Sequence, residues 1–353
     1  MSDKKLKRVA IVGYGGMGSW HVHKIRDGGA VELAGIYDIN PKMVEKAKSR
    51  DIYPYSSFEE VLADETVDIV TIATPNQLHK PLAIQALAAG KNVISEKPVT
   101  LSSADLQEMF DAANKYGKKF TVHQNRRFDG EFIMIKDLYN SGKLGDIFSI
   151  RTSLYGSHGI PGDWRGKKEF GGGMLYDWGV HLIDQQLYMV GDLKVKSVYC
   201  TFENITNEEV DDGFKLDMYF ENGMTGRIEV GTNHFISLPM FYMNGTNGTA
   251  LVPDWNTNCK VVACTNWDPG EVKPVITSAG LTKTMAPRNE DTIREYEIEI
   301  VKHDVHDFYR NFVKAIDGEA EQIVTHSQMM RVMKVMEAAF KSVEVGAPVK
   351  VED

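Results

Sequence analysis

The stretch LKRVAIVGYGGMG, residues 6–18, decides the fold of this chain. Leu6 to Val12 form a short apolar run that predicts a β-strand, and a helix pattern follows the glycines through Ile25. In a GxGxxG motif the first glycine permits a tight turn, the second lets the backbone approach a pyrophosphate, and the third lets the helix pack closely on the strand. We therefore assign to a dinucleotide site Gly13, Tyr14, Gly15, Gly16, Met17 and Gly18.

A second predicted strand, Glu32 to Tyr37, ends at an acidic residue, Asp38. An acid about 20 residues beyond the last glycine is placed to accept hydrogen bonds from the adenosine ribose. Its carboxylate would also repel a 2′-phosphate, and the next residues, Ile39 and Asn40, supply no cation to receive one. The sequence therefore predicts NAD rather than NADP as the cofactor.

Strands and helices continue to alternate through residue 124, with further predicted strands at Val67–Ala73, Asn92–Ser95 and Lys119–His123. This alternation predicts an α/β fold with a doubly wound parallel Rossmann sheet over residues 1–124. Ligands bind such sheets outside the carboxyl ends of the strands. On that rule we place at the cofactor the loop residues Thr74, Asn76, Glu96 and Lys97.

The pattern changes after residue 125, and residues 125–353 predict a second, α+β domain. Strands of period two flank the Asn222-Gly223 turn, which is typical of a hairpin in an antiparallel sheet with one buried face. This domain is therefore expected to hold an antiparallel sheet. The stretch from Pro253 to Arg294 shows no periodicity, and we interpret it as irregular.

The segment GGGMLYDWGVHLID, residues 171–184, is predicted to be a helix that opens on three glycines. On a helix, Asp177, His181 and Asp184 at i, i+4 and i+7 share one face. A structural ion pair is the ordinary interpretation of such a face, but Lys97 at the nicotinamide end of the crevice offers it a catalytic partner. Two carboxylates and one imidazole are an incomplete ligand set for zinc, so we predict no metal.

Composition limits the classes of partner. The 353 residues carry a formal net charge of −9, which would repel nucleic acid and anionic lipid. Three cysteines without a CxxC pair suggest neither a disulfide framework nor a zinc site. The chain shows neither a signal peptide nor an apolar run long enough for a membrane span, so we expect a cytoplasmic protein.

Several motifs, in this order, resemble the Gfo/Idh/MocA oxidoreductases: residues 13–18, Ala73–Asn76 with His79, Glu96–Pro98, Asn125–Phe128, Asp163–Arg165 and Gly171–Asp184. The resemblance covers nearly the whole chain, and it implies an α+β domain with a large, mostly antiparallel open sheet that binds substrate and forms oligomer contacts. It implies that Lys97, Asp177 and His181 meet over the nicotinamide and that the free face of the C-terminal sheet builds homodimers or homotetramers. We add His79 and Asn125 to the cofactor site and Arg127, Trp164 and Arg165 to the substrate site. Trp178 departs from the family pattern, in which many members have a small residue or proline.

We therefore expect an NAD-dependent dehydrogenase that oxidises a secondary hydroxyl of a sugar, glycoside or cyclic polyol. His181 is assigned as general base, Asp177 holds the substrate and tunes the imidazole, and Lys97 donates a hydrogen bond to the developing alkoxide; Lys97 as the base remains an alternative. Asp184 is interpreted as structural, capping or pairing within its helix, and His21 and His23 as packing or surface residues. Other functions left open are an NAD-dependent glycosidase that oxidises a sugar transiently and a non-catalytic NAD-binding regulator.

Overall fold

The computed structural model describes residues 5–268 and 270–352. Its N-terminal half contains a five-stranded parallel sheet in the order β2-β1-β3-β4-β5. The strands are β1 Arg8–Val12, β2 Glu32–Tyr37, β3 Ile69–Ile72, β4 Asn92–Ser95 and β5 Phe120–Val122. The helices are α1 Gly16–Gly28, α2 Pro41–Lys48, α3 Phe58–Ala63, α4 His79–Ala88 and α5 Ser103–Tyr116. The chain turns from one side of β1 to the other between β2 and β3, and a ligand crevice opens at such a switch point.

Local signals in the sequence set the ends of these helices. The Asn40 side chain accepts a hydrogen bond from the backbone N–H of Lys42, with Pro41 at the first helical position of α2. Ser102 caps α5 in the same way by accepting from Asp105, and Gly117 ends that helix in the left-handed conformation.

The second half contains a nine-stranded sheet in the order β15-β12-β11-β10-β6-β9-β8-β7-β16, antiparallel except where β6 pairs with β9. Its strands are β6 Ile147–Tyr155, β7 Val195–Glu203, β8 Gly213–Phe220, β9 Thr225–Gly231, β10 Phe241–Gly245, β11 Gly248–Val252, β12 Cys259–Cys264, β15 Ile293–Ile298 and β16 Val349–Lys350. A separate hairpin joins β13 Val275–Thr277 to β14 Gly280–Thr282. The α/β class with a parallel sheet followed by a large, mostly antiparallel one is confirmed.

Four helices accompany this sheet: α6 Gly130–Asn140, α7 Val180–Val190, α8 Asp307–Ile316 and α9 His326–Val345. Helices α6, α7 and α9 pack against its strands. Two large side chains of this sheet, Phe148 on β6 and Tyr242 on β10, are exposed. The C-terminal segment returns to the first sheet, since the side chains of Gln322 and His326 both contact the carbonyl oxygen of Phe120 in β5.

Two predictions were wrong in detail. The stretch 253–294 is not irregular throughout, because β12 pairs along its whole length with β15 and extends the sheet. The alternation of apolar and polar residues is weak there, because both strands lie near the edge of the sheet and several of their side chains are exposed. The helix predicted from Gly171 begins instead with a π-helical turn, Leu175–Gly179, and becomes α-helical at Val180.

Candidate functional site

The glycine loop after β1 has the geometry that its sequence predicts. Gly13 has a φ of +92°, and a Cβ at this position would overlap the carbonyl oxygen of Ala73. A Cβ at Gly18 would overlap the carbonyl oxygen of Gly13, so α1 packs against β1 without room for a side chain. Gly15 and Gly16 instead face open space. The loop can therefore receive a pyrophosphate beside the N-terminus of α1, and these residues fit a dinucleotide.

Asp38 lies at the end of β2 beside this loop. Its Oδ2 accepts a hydrogen bond from the backbone N–H of Tyr14 at 2.6 Å, and its Oδ1 accepts from the N–H of Asn40 at 2.8 Å. These bonds fix the orientation of the carboxylate, and each oxygen keeps a second lone pair for a ribose hydroxyl.

A crevice of about 480 Å³ extends from the glycine loop to the second half of the chain. It is lined by Gly15, Gly16, Met17, Ala73, Thr74, Pro75, Asn76, Glu96, Lys97, Asp163, Trp164 and Arg165. Asn76 donates a hydrogen bond from Nδ2 to the carbonyl oxygen of Phe170 at 3.1 Å, which fastens the run of three glycines to the crevice. Most of the predicted cofactor residues thus lie in one cavity with the predicted substrate residues Trp164 and Arg165.

An ion-paired cluster forms the inner end of this crevice. The ammonium group of Lys97 donates to Oδ1 of Asp177 at 2.9 Å and to its carbonyl oxygen at 3.0 Å. The guanidinium of Arg165 donates from Nε to Oδ2 of Asp177 at 2.8 Å and also pairs with Asp163 at 2.8 Å. Burial alone would raise the pKa of Asp177, but Lys97 and Arg165 outweigh it and hold that pKa below its usual value.

His181 lies on α7 just beyond the π-helical turn. Its side chain is 3% exposed, and its Nδ1 is buried without a hydrogen-bond partner among the described residues. Burial, followed by the positive charges of Lys97 and Arg126, holds the pKa of His181 well below its usual value, so the imidazole is neutral at pH 7. A neutral imidazole with an unused ring nitrogen is able to accept a proton.

The two carboxylates of the predicted acid–imidazole–acid face bond partners other than the imidazole. Asp177 lies within the π-helical turn, and its two oxygens accept hydrogen bonds from Lys97 and Arg165. Asp177 therefore orients Lys97, and its predicted tuning of His181 stays a prediction.

Glu96, one residue before Lys97, points beneath the crevice into a buried polar cluster. Its Oε1 lies 2.8 Å from Nε2 of His21 and 2.8 Å from Nδ1 of His123, and the other ring nitrogen of His21 bonds the hydroxyl of Tyr309. Burial opposes the charge on Glu96, but the two imidazoles hold its pKa well below the usual value. These contacts satisfy Glu96 as an anion, and its Oε2 accepts from the backbone N–H of Lys97 at 3.2 Å. The packing role predicted for His21 agrees with its complete burial, whereas His23 is exposed.

Two predicted site residues have other partners. Arg127 is 4% exposed and donates from Nε and Nη2 to the two oxygens of Asp184 at 2.7 and 2.6 Å. Asp184 thus pairs with a residue of another element and not within its own helix. His79 is also buried, with its ring nitrogens 3.0 Å from the carbonyl oxygen of Pro98 and 2.9 Å from that of Thr74. Arg127 therefore belongs to the core, and His79 ties two loops together beneath the crevice.

Sequence reasoning missed four residues of this region. Arg126, not Arg127, turns toward His181, and its guanidinium lies against the rings of Trp178 and Trp255. The backbone N–H of Leu175, at the start of the π turn, donates to Asp211 at 2.8 Å. Asp163 holds Arg165 in place. Arg126 and Asp163 had a signal, since they lie in the Asn125–Phe128 and Asp163–Arg165 motifs. Asn125 begins the short helical turn after β5, at the carboxyl edge of the sheet.

A Rossmann crevice that ends in a lysine, a carboxylate and a neutral buried histidine defines a dinucleotide-dependent oxidoreductase. Residues 7–124 match the model of the oxidoreductase family with an NAD-binding Rossmann fold, and residues 132–251 match the GFO/IDH/MocA C-terminal domain. The chain therefore belongs to the Gfo/Idh/MocA family of oxidoreductases, as its motifs predicted.

The proteins similar to this chain match it over different shares of its length. A solved NAD-binding protein from Listeria innocua is 43% identical, with a TM-score of 0.94 over 98% of this chain and 100% of that one. An uncharacterized oxidoreductase of Schizosaccharomyces pombe is 34% identical over 50% of this chain and 49% of its own, so the match spans about half of that relative. The NADP(+)-dependent scyllo-inositol 2-dehydrogenase IolW of Bacillus subtilis is 30% identical over 58% of this chain and 57% of its own. In the described residues, no helix is both long and apolar enough to cross a membrane.

Proposed function

We propose that this protein oxidises a secondary hydroxyl of a sugar, glycoside or cyclic polyol and transfers the hydride to NAD, with Lys97, Asp177 and His181 as its catalytic group. The observation that carries this proposal is the ion pair of Lys97 with Asp177 at 2.9 Å, next to a buried imidazole, His181, whose pKa burial and the charge of Lys97 lower. Relatives that include an inositol dehydrogenase support the substrate class.

Removing a hydride from a secondary alcohol requires the hydroxyl proton to leave as the carbon is oxidised. Bound NAD supplies the hydride acceptor. In our proposal His181 accepts the proton because its imidazole is neutral and its ring nitrogen is unused. The ammonium of Lys97 donates a hydrogen bond to the substrate oxygen as negative charge develops there. Asp177 keeps Lys97 in position, and Arg165 and Trp164 border the opening through which substrate enters.

The proposal also includes the cofactor, the assembly and the location of the protein. We propose NAD rather than NADP because the fixed carboxylate of Asp38 repels a 2′-phosphate. We propose a homodimer or homotetramer through the free face of the nine-stranded sheet, where Phe148 and Tyr242 are exposed. A cytoplasmic location is consistent with the free cysteines Cys200, Cys259 and Cys264.

The test is a panel of neutral hexoses, inositols and glycosides, assayed for nicotinamide reduction at 340 nm with NAD or NADP. Wild-type protein should reduce NAD with at least one ring polyol, and Lys97→Ala and His181→Ala should each lower kcat by about 10²-fold or more. Two exposed residues of the same types serve as controls, and Lys48→Ala and His23→Ala should keep wild-type turnover.

Binding of NADH, followed by its fluorescence, shows whether each variant keeps an intact cofactor site. Full turnover in either catalytic variant, or no reduction with any compound of the panel, would refute the proposal. Cleavage of an aryl glycoside without net NAD reduction would point instead to the transient oxidation of a glycosidase.

A further inference from the structure

A second cavity lies beside the catalytic face of α7. Trp178 lines it from the π-helical turn, and Leu182 and Gln185 line it from α7. Strands β6 and β10 form its apolar floor with Leu154 and Phe241, and Trp255 closes it from the loop between β11 and β12. The enclosed space is about 10 Å³, roughly the room that one water needs.

The mouth of this cavity is a stack of two indoles and one guanidinium. The guanidinium carbon of Arg126 lies 4.9 Å from the ring centre of Trp178 and 5.2 Å from that of Trp255, and the two indoles are 6.2 Å apart. Trp178 also meets the ring of His181 edge-on at 5.8 Å. Trp255 is 37% exposed, so it is not a core residue. The stack therefore connects the proposed proton acceptor with a partly exposed side chain.

One polar atom in the cavity points to a ligand. Gln185 is 4% exposed and donates from Nε2 to the carbonyl oxygen of Arg126 at 2.7 Å, but its Oε1 is buried without a donor among the described residues. A buried amide oxygen without a partner is unfavourable unless a ligand supplies the missing hydrogen bond. A hydroxyl group is a donor of the right kind.

The charges around the cavity select against anions. Two carboxylates, Asp129 and Glu131, line it beside the single guanidinium of Arg126. Arg126 pairs with Asp129 at 3.2 Å, and Glu131 accepts a hydrogen bond from the backbone N–H of Asn256. Burial raises the pKa of Asp129 to about 6, which leaves it mostly ionised at neutral pH. A phosphate or carboxylate on the substrate would therefore meet more negative than positive charge.

We propose that Trp178, Trp255, Arg126 and Gln185 form a subsite beside His181 that binds the ring of a neutral polyhydroxylated substrate and disfavours sugar phosphates and sugar acids. On binding, Trp255 turns outward and its indole covers the apolar C–H face of the ring. A ring hydroxyl donates to Oε1 of Gln185, and the guanidinium of Arg126 donates to a second hydroxyl. This inference rests on the proposed function, since it names the substrates that the same catalytic group would oxidise.

The experiment measures binding of myo-inositol, D-glucose and D-glucose 6-phosphate to the NADH-loaded protein by isothermal titration calorimetry, together with KM and kcat. Trp255→Ala should weaken binding of the neutral rings about tenfold, through KM with little change in kcat. The matched control is Trp267→Ala, because Trp267 also stacks on an arginine, Arg288 at 4.7 Å, but lines neither cavity. D-glucose 6-phosphate should bind about tenfold more weakly than D-glucose or worse.

Asp129→Asn is the second variant, and it should narrow the difference in binding affinity between D-glucose and D-glucose 6-phosphate. If the wild type oxidises a neutral ring but Trp255→Ala binds it with unchanged affinity, the subsite is wrong and the proposed function stands. If glucose 6-phosphate binds as tightly as glucose, the charge argument is wrong. If the wild type neither binds nor oxidises any ring polyol, the proposed function fails and this inference fails with it.

Discussion

The Arg127→Met variant tests whether Arg127 is a core residue or, as the sequence predicted, part of the substrate site. The side chains of Arg127 and Asp184 are both 2% exposed and are joined by two hydrogen bonds of 2.7 and 2.6 Å. Arg127 also donates from Nη1 to the carbonyl oxygen of Ile323 and to Oε1 of Gln328, at 2.7 and 2.8 Å. Methionine fills a similar volume without any of these donors, so the carboxylate of Asp184 would stay buried and unpaired.

Breaking a buried ion pair by removing one partner costs about 3–5 kcal/mol of unfolding free energy. The additional bonds to Ile323 and Gln328 place Arg127→Met toward the upper end of that range. Arg310→Ala is the matched control, because Arg310 also pairs with two carboxylates, Asp304 at 2.6 Å and Asp307 at 2.7 Å, but is 41% exposed. Exposed ion pairs contribute about 0–1 kcal/mol each, so Arg310→Ala should unfold at a urea concentration close to that of the wild type.

The assay is urea unfolding followed by tryptophan fluorescence, with KM measured at a temperature where every variant is folded. Arg127→Met should unfold at much lower urea while its KM stays within about twofold of the wild type, whereas Arg165→Ala should raise KM with little loss of stability. A stability loss below about 1 kcal/mol for Arg127→Met, or a large rise in its KM without such a loss, would refute its assignment to the core.

Two further predictions concern the cofactor and the π turn. Asp38→Ser removes the charge that repels a 2′-phosphate, so the ratio of kcat/KM for NAD to that for NADP should fall about tenfold, and an unchanged ratio would contradict the role of Asp38. Burial raises the pKa of Asp211 to about 7, so the folded protein binds a proton between about pH 4 and pH 7 that the unfolded chain releases, and stability falls as pH rises through that window. Asp211→Asn should remove this dependence. Between pH 5 and pH 7 its unfolding free energy, measured with urea, should rise by about 2 kcal/mol relative to that of the wild type. If the unfolding free energies of the two proteins change equally with pH, Asp211 is ionised in the folded protein.

The first sheet could be predicted well because its determinants are local. The close packing of Gly13 and Gly18, the cap at Asn40 and the buried strands each leave a mark within a few neighbouring residues. Strand β12 was missed because its pairing with β15 joins segments about 30 residues apart, and exposed edge strands carry little alternation.

At the candidate site, the sequence indicated which residue types meet but not where they point. The spacing of Asp177 and His181 placed both side chains on one helical face but did not show that both oxygens of Asp177 pair with Lys97 and Arg165. Arg126 and Arg127 are adjacent and chemically identical, so only the packing of α7 decides that Arg127 meets Asp184 while Arg126 turns to the tryptophans. Neighbouring residues with the same chemistry cannot be told apart without the direction of their side chains.

Proton transfer in the proposed reaction requires a neutral acceptor next to a charged donor, and the structure supplies both with one arrangement of charges. Arg165 and Lys97 share the carboxylate of Asp177, and Arg165 also pairs with Asp163. Burial lowers the pKa of His181, and the charges of Lys97 and Arg126 lower it further. A carboxylate bonded to His181 would have had the opposite effect, because it would favour the imidazolium. Because both oxygens of Asp177 are taken by Lys97 and Arg165, that carboxylate does not bond the imidazole, and the acceptor stays neutral before the substrate arrives.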